Sequence, residues 1–274
     1  SVFTALANTY IESGRKLFIA YDYKHAIENY KKAGEICNST GNIRGYLRSQ
    51  IGIMNCYYNL REISKADSIC EKLLAFSQGK INNNDILFSD IYNAKAFSLS
   101  SRLKYDESSQ YASKAIDVIG MNNGKLDTLL VFPYRLIGYN LYCLGEHKAA
   151  LVNYNHALAL ALNCRDKGKM LDCFNFMALI YRNSGLYDEA LAFYNKALSS
   201  KSLFADKPFL EYANTLNDLA EFYDLTGNYA EALSIYHCAS EYVLKNFRWD
   251  KTLLGRIYSN QGRMYHRFNN YEKA

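Results

Sequence analysis

LDCFNFMALIYRNSGLYDEALAFYNKAL, residues Leu171 to Leu198, reads as two amphipathic helices joined at Asn183-Ser184-Gly185. Phe174, Ala178 and Tyr181 precede the break; Tyr187, Ala190, Tyr194 and Ala197 follow it. Spacings of three and four place each set on one helix face, and the polar-glycine break ends the first helix. The same landmarks return along the chain. With Ala190 as register mark, the equivalents are Ala26, Ala66, Ser108, Ala150, Ala232 and Ala274, spaced 40 or 42 residues apart. Three residues before each mark stands Tyr23, Ile63, Tyr105, His147, Tyr187, Tyr229 or Tyr271. Four after comes Tyr30, Cys70, Ala112, Tyr154, Tyr194 or Tyr236, and seven after comes Ala33, Leu73, Ala115, Ala157, Ala197 or Ala239. Small residues at fixed positions let helices approach closely, and aromatics fill the adjoining holes. A repeated helix pair of this kind predicts a solenoid.

The pattern G/A-x-x-Y followed by Y-x-x-A-x-x-x-Y-x-x-A resembles the tetratricopeptide repeat family. Its first-helix part is read in Ala178-Leu179-Ile180-Tyr181, Ala220-Glu221-Phe222-Tyr223 and Gly262-Arg263-Met264-Tyr265, and as Gly138-Tyr139-Asn140-Leu141 in the fourth copy. The resemblance implies an all-α, right-handed superhelical solenoid of about seven antiparallel helix pairs, the last truncated. The family unit is about 34 residues. The extra six to eight residues here are roughly two turns at about 3.6 residues each, so each helix is expected to be one turn longer. Units of this length are similar to those of kinesin light chains, Rap-type peptide receptors and repeats joined to caspase-like CHAT proteases.

Composition agrees with an elongated scaffold. A formal charge of +5 without long basic runs does not indicate direct nucleic-acid binding. No apolar run is long enough to span a membrane. The seven cysteines include no C-x-x-C pair. Buried free thiols in a reducing, cytoplasmic compartment are expected, with a zinc site or catalytic thiol as the alternative. Cys70, at a position that is tyrosine in most copies, is expected to be buried. The chain begins at Ser1 and stops inside a repeat at Ala274, as a piece of a longer protein would.

The repeats are drawn as 1–42, 43–84, 85–126, 127–166, 167–208, 209–250 and an incomplete 251–274, forming one solenoid. Val2 to Ala20 is the first helix, with Leu6, Tyr10 and Leu17 on its inner face. The second repeat's turn, Asn59 to Ser64, lacks glycine and is the hardest to place. Pro133 is placed near a helix start, where a missing N–H costs least, and Asp206-Lys207-Pro208 fits another. The last first-helix runs from Thr252 to Phe268. Its stripe of Leu253, Ile257, Met264 and Phe268 is expected to be exposed for want of a covering helix.

Family resemblance places the second, fifth, ninth and twelfth residues of each unit on the concave, ligand-facing side. These are Asn93 and Phe97 in the third repeat; Arg135, Tyr139 and Tyr142 in the fourth; Asn175, Leu179 and Arg182 in the fifth. The sixth supplies Asn217, Glu221 and Asp224, and the seventh Arg256, Arg263 and His266. Asparagine recurs at the fifth position, and an amide both donates and accepts, so it can bracket a peptide backbone. The alternative is that these amides are solvated or bond to neighbouring helices. Tyr139 and Tyr142 are candidate aromatic anchors, although most tyrosines of the repeat are core. The charge order, basic then acidic then basic, matches an extended partner acidic at both ends and basic between.

Catalysis finds little support. His147 stands at a turn position, His25, His156 and His237 on second helices facing outward, and no nucleophile, metal or phosphate motif occurs. No cofactor and no metal site are expected. Three readings follow: a scaffold binding a protein or peptide, the regulatory arm of an enzyme such as a CHAT-type protease, or the sensory half of a transcription regulator.

Overall fold

The structure is a computed structural model that describes residues 2–122, 127–199, 208–247 and 250–267. Every regular element among them is a helix. In order they are α1 (Val2–Ile19), α2 (Tyr23–Ser39), α3 (Ile43–Asn59), α4 (Ile63–Ser77), α5 (Leu87–Ser101), α6 (Tyr105–Met121) and α7 (Asp127–Cys143). There follow α8 (His147–Asn163), α9 (Lys167–Asn183), α10 (Tyr187–Ser199), α11 (Leu210–Leu225), α12 (Tyr229–Asn246) and α13 (Lys251–Arg267). The fold is an all-α helical repeat. Odd-numbered helices open each pair and even-numbered ones close it. The chain gathers into two compact units, Ser1–Leu144 and Gly145–Ala274, divided inside the fourth expected repeat.

The repeated small residues carry the packing. Ala26, Ala66, Ser108, Ala150, Ala190 and Ala232 are all completely buried, as are Ala33, Ala115, Ala157, Ala197 and Ala239. Tyr30, Tyr154, Tyr194 and Tyr236 are buried one turn beyond their marks, and Cys70 replaces tyrosine there without loss of burial. Tyr30 shows why small neighbours are needed. A Cβ on Gly14 would lie 2.9 Å from its ring, and one on Gly52 would lie 2.6 Å away. Where serine replaces alanine at a mark, the hydroxyl has partners. Ser108 Oγ donates to the Ala96 carbonyl at 2.7 Å and accepts from Asn140 Nδ2 at 2.8 Å. Asn140 also donates to Ser109 Oγ and accepts from Ser100 Oγ at 2.7 Å, so this buried amide ties α5, α6 and α7 together.

One turn geometry recurs whether or not glycine is present. Asp22 N–H bonds to the Leu17 carbonyl at 2.9 Å, Glu62 to Tyr57, Lys104 to Leu99, Asp166 to Ala161, Leu186 to Tyr181 and Asn228 to Tyr223. These are six-to-one closures around a left-handed residue. Gly185 and Gly227 fill that place in two turns, but Tyr21, Arg61, Leu103 and Arg165 fill it in four others with φ of 55 to 63°. The glycine-free second turn is therefore built around Arg61.

Three expectations are corrected. The stripe of α13 is not exposed: Leu253, Ile257 and Met264 are buried, because it faces back onto α11 and α12 rather than onward. Pro133 lies inside α7, beyond the first turn, so its missing N–H does forfeit a helical bond. Leu6 is exposed because Ala7 and Gly14 carry the buried stripe of α1; Tyr10 and Leu17 are half-buried. Tyr271, Ala274, Phe268, Asp206 and Lys207 lie outside the described residues. All seven cysteines are free thiols, and Cys37, Cys56, Cys70 and Cys173 are buried. Burial pushes Cys56 and Cys70 up to about 12, which keeps them as inert thiols.

Candidate functional site

Within each unit, successive first helices pack side by side: α1, α3, α5 and α7 in the first, α9, α11 and α13 in the second. Their remaining polar and aromatic residues form a face in each unit.

In the first unit this face includes an acceptor without a donor. Asn93 is half-buried on α5, and its Oδ1 is shielded from solvent with no hydrogen-bonding partner. One turn earlier, Asp90 is held in a poorly hydrated site. Burial pushes its carboxyl up to about 6, against the opposing charge of Arg48. On α7, Phe132 and Tyr139 remain 37% and 36% exposed, large areas for aromatic side chains on a helix otherwise well packed. Tyr142 and Arg135 are half-buried on the same helix. The Tyr139 hydroxyl is pushed up to about 12, by burial first and by its hydrogen bond with Cys143 second. It stays protonated and can donate. Phe97 packs against Tyr58, ring centroids 5.2 Å apart, and is part of the core between α5 and α7.

In the second unit the corresponding face is cross-linked. Asn175 Nδ2 on α9 donates to Asp218 Oδ2 on α11 at 2.7 Å. Asn217 is completely buried. Its Nδ2 donates to Asp218 Oδ1 at 3.2 Å and Glu221 Oε1 at 3.0 Å, while its Oδ1 accepts from Asn260 Nδ2 of α13 at 3.1 Å. Asn260 donates to Glu221 as well, and its own Oδ1 accepts from Arg263 at 3.0 Å. Arg182 on α9 lies 3.7 Å from Glu221, and Arg263 lies 3.7 Å from Asp224, which also pairs with Arg267. Arg256 is exposed and donates to Asn214 at 2.9 Å. Burial raises the Asp218 carboxyl above its usual range, while the Asn175 donor pulls it back.

The amides of Asn175 and Asn217 are thus engaged between helices, the alternative that their chemistry left open. Asn175 Oδ1 alone of these two amides' oxygens lacks a partner. The arrangement brings Asn175, Arg182, Asn217, Glu221, Asp224, Arg256 and Arg263 onto adjacent helices of one unit. It brings Asn93, Arg135, Tyr139 and Tyr142 onto adjacent helices of the other. Asp218 and Asn260, which complete the cross-links, were missed because they occupy the sixth position rather than the fifth. Their signal was a polar pair 42 residues apart at one register position. Asp90 and Phe132 stand at the second position of the register.

His147 Nδ1 contacts Ser184 Oγ at 2.8 Å, and Ser184 Oγ donates to the Ile180 carbonyl. The hydroxyl therefore accepts from the imidazole and fastens two turns together. Among the described residues no group of three histidine, cysteine, aspartate or glutamate side chains could hold a metal ion, and no helix is long and apolar enough to cross a membrane.

Residues 171–202 and 211–274 match family models described as tetratricopeptide repeat. A TPR repeat-containing protein of Methanocaldococcus jannaschii is 25% identical over 191 residues, which is 69% of this chain. The chain spans 30% of that relative's length. Among solved structures, aspartyl phosphate phosphatase F from Bacillus subtilis superposes with a TM-score of 0.69 at 14% identity, over 99% of this chain and 68% of that one. A Rap protein complexed with competence and sporulation factor gives 0.67 at 16% identity, over 98% and 77%. Likeness at this identity concerns the fold.

Proposed function

From the tetratricopeptide repeats of this chain we infer that it is a scaffold that binds a protein or peptide along the first helices of its repeats, as the interaction or regulatory part of a longer protein. The observation that carries this reading is the exposure of Phe132 and Tyr139 on α7. These two rings are partly exposed, one above the other on α7, on the same helix as half-buried Tyr142. Aromatics at such a surface offer large contact area at small entropy cost. In the second unit, Arg256 and Arg263 are exposed cations on the first-helix face. There Asn175 and Asn217 act indirectly, by fixing the spacing of the helices that carry them. No catalysis and no nucleic-acid contact belong to this reading. The solved complex of a Rap protein with competence and sporulation factor is in keeping with it.

A random extended-peptide library panned against the wild type and against the double variant Phe132→Ala, Tyr139→Ala provides the test. Peptides selected by the wild type should lose about tenfold or more in affinity for the variant, the usual cost of removing aromatic anchors. The helical circular-dichroism signal should not change. Peptides that bind both proteins equally would overturn the assignment.

A further inference from the structure

We propose that the turn edge of the second unit is a further docking surface, on which Leu186, Tyr187, Leu225 and Tyr229 receive an amphipathic helix of a partner protein whose leucine-type residues are flanked by lysine or arginine. It belongs to other helices than the α7 face and is independent of the reading given to that face.

Two leucines stand where the repeat has no use for them. Leu186 directly precedes α10, and its carbonyl accepts the first helical bond, from the Ala190 N–H at 3.0 Å. The same place before the other second helices holds Asp22, Glu62, Lys104, Glu146 and Asn228. A polar side chain there can cap the helix start, and leucine cannot. Leu186 is nonetheless 46% exposed, so it is not spent on packing either. Leu225 ends α11 and is 60% exposed. Its register equivalents include Asn59, Ser101 and Asn183. Neither leucine side chain is needed to close its turn. The Leu186 N–H meets the Tyr181 carbonyl at 3.0 Å and the Asn228 N–H meets the Tyr223 carbonyl at 2.8 Å, as in the turns that carry polar residues.

The two turns form one patch. The Tyr187 ring meets Phe222 edge-on, centroids 5.9 Å apart, and Leu225 lies one helical turn beyond Phe222 on the same side of α11. Tyr187 and Tyr229 remain 43% and 38% exposed. Contiguous exposed apolar residues of this kind mark an interaction surface. Charge then selects the partner. Residues 183–189 and 225–231 contain Asp188, Glu189 and Glu231 and no lysine or arginine. All three carboxylates are exposed, in the first turns of α10 and α12, where the helix dipole favours their charge. Arg182 and Arg267, at the ends of α9 and α13, are paired with Glu221 and Asp224. In the preceding turn Glu146 and Lys148 cancel. The apolar ridge is thus bordered by negative charge. Neighbouring helices pack about 8–10 Å apart, and residues seven apart on one helix face stand about 10 Å apart. A partner helix can therefore set one leucine against each turn and hold its flanking cations opposite the carboxylates. An extended segment would turn alternate residues away.

The test uses a synthetic amphipathic helix of leucine and lysine as probe, titrated against the protein by fluorescence anisotropy. A peptide of the same composition in scrambled order and a leucine–glutamate counterpart are the controls. The double variant Leu186→Asn, Leu225→Asn carries at each place a residue that other repeats already use, as at Asn228 and Asn183. The wild type should bind the probe more tightly than either control. The double variant should bind it about tenfold or more weakly. Its melting temperature should hold or rise, because Leu186→Asn supplies a capping side chain. Equal affinity of the double variant, equal binding of the scrambled peptide, preference for the glutamate counterpart, or a lowered melting temperature would each overturn the proposal. Loss of the probe from the Phe132→Ala, Tyr139→Ala variant would place the helix on α7 and overturn it as well. Dimerisation of the wild type that the double variant abolishes, without binding of the probe, would make a second copy the occupant in place of a basic helix.

Discussion

Asn93 in the first unit and Asn217 in the second occupy the same fifth position of their repeats, yet their surroundings differ. Asn217 is completely buried and spends its amide on Asp218, Glu221 and Asn260, joining α11 to α13. Asn93 is half-buried and has a carbonyl oxygen with nothing to accept from. The difference lies in the neighbours. Around Asn217 stand carboxylates on the same helix and an asparagine on the next one. Around Asn93 stand a lone carboxylate one turn earlier and, at the equivalent position of the next first helix, half-buried Arg135. One face is braced by its own side chains; the other keeps the Asn93 acceptor unpaired. A residue type at a repeat position thus says little about use until its partners are placed.

The largest expected effect tests this contrast directly. Asn217→Ala should cost about 2–4 kcal/mol in urea unfolding, since it strips donors from two carboxylates and an acceptor from Asn260. Asn93→Ala should stay within about 0.5 kcal/mol, because it breaks no bond of the oxygen it removes. Equal losses would abolish the distinction between the faces.

Asp90→Asn should come next, and with the opposite sign. The folded carboxyl titrates near 6, above its ordinary 3.8. Its ionisation therefore works against the fold: no penalty below the ordinary value, a growing one as pH rises toward 6, and the full one above. Removing the charge should stabilise the protein by about 1–2 kcal/mol at pH 7.5 and by almost nothing at pH 3.5. Thermal melts at the two pH values decide. A loss of stability at pH 7.5 would show that Asp90 already has its partner in the first unit.

Smaller still is the effect of Asp224→Asn in the second unit, where Arg263 and Arg267 both lean on one carboxylate. A cost of about 0.5–1.5 kcal/mol is expected, since both arginines are substantially exposed. It should shrink in 1 M salt, where charges are screened within about 3 Å. A salt-independent loss would mean that Asp224 acts through packing rather than through charge.

The periodic marks made the helices legible. Ala190, Tyr194 and Ala197 could be recognised as buried because steric fit repeats with the helix period, and a local period is visible in a string of residues. The turn at Arg61 was obscure for a related reason: its left-handed residue is held by a six-to-one backbone bond, and backbone bonds leave no mark on side-chain identity. The exposed stripe expected on α13 failed because periodicity reveals that a face is apolar, not which neighbour covers it. Leu253, Ile257 and Met264 turn toward the preceding pair.

By itself, then, the sequence determined the helix pairs, their unit of 40 or 42 residues and the residues that pack within them. All of these follow from side-chain size recurring at short range. Only the tertiary structure decided which first-helix residues are spent and which are left. Asp218 and Asn260 stand 42 residues apart in the chain, and Asn217 bridges them through its hydrogen bonds. Hydrogen bonds and burial are properties of distance in space, and no local spacing encodes whether an acceptor meets a donor.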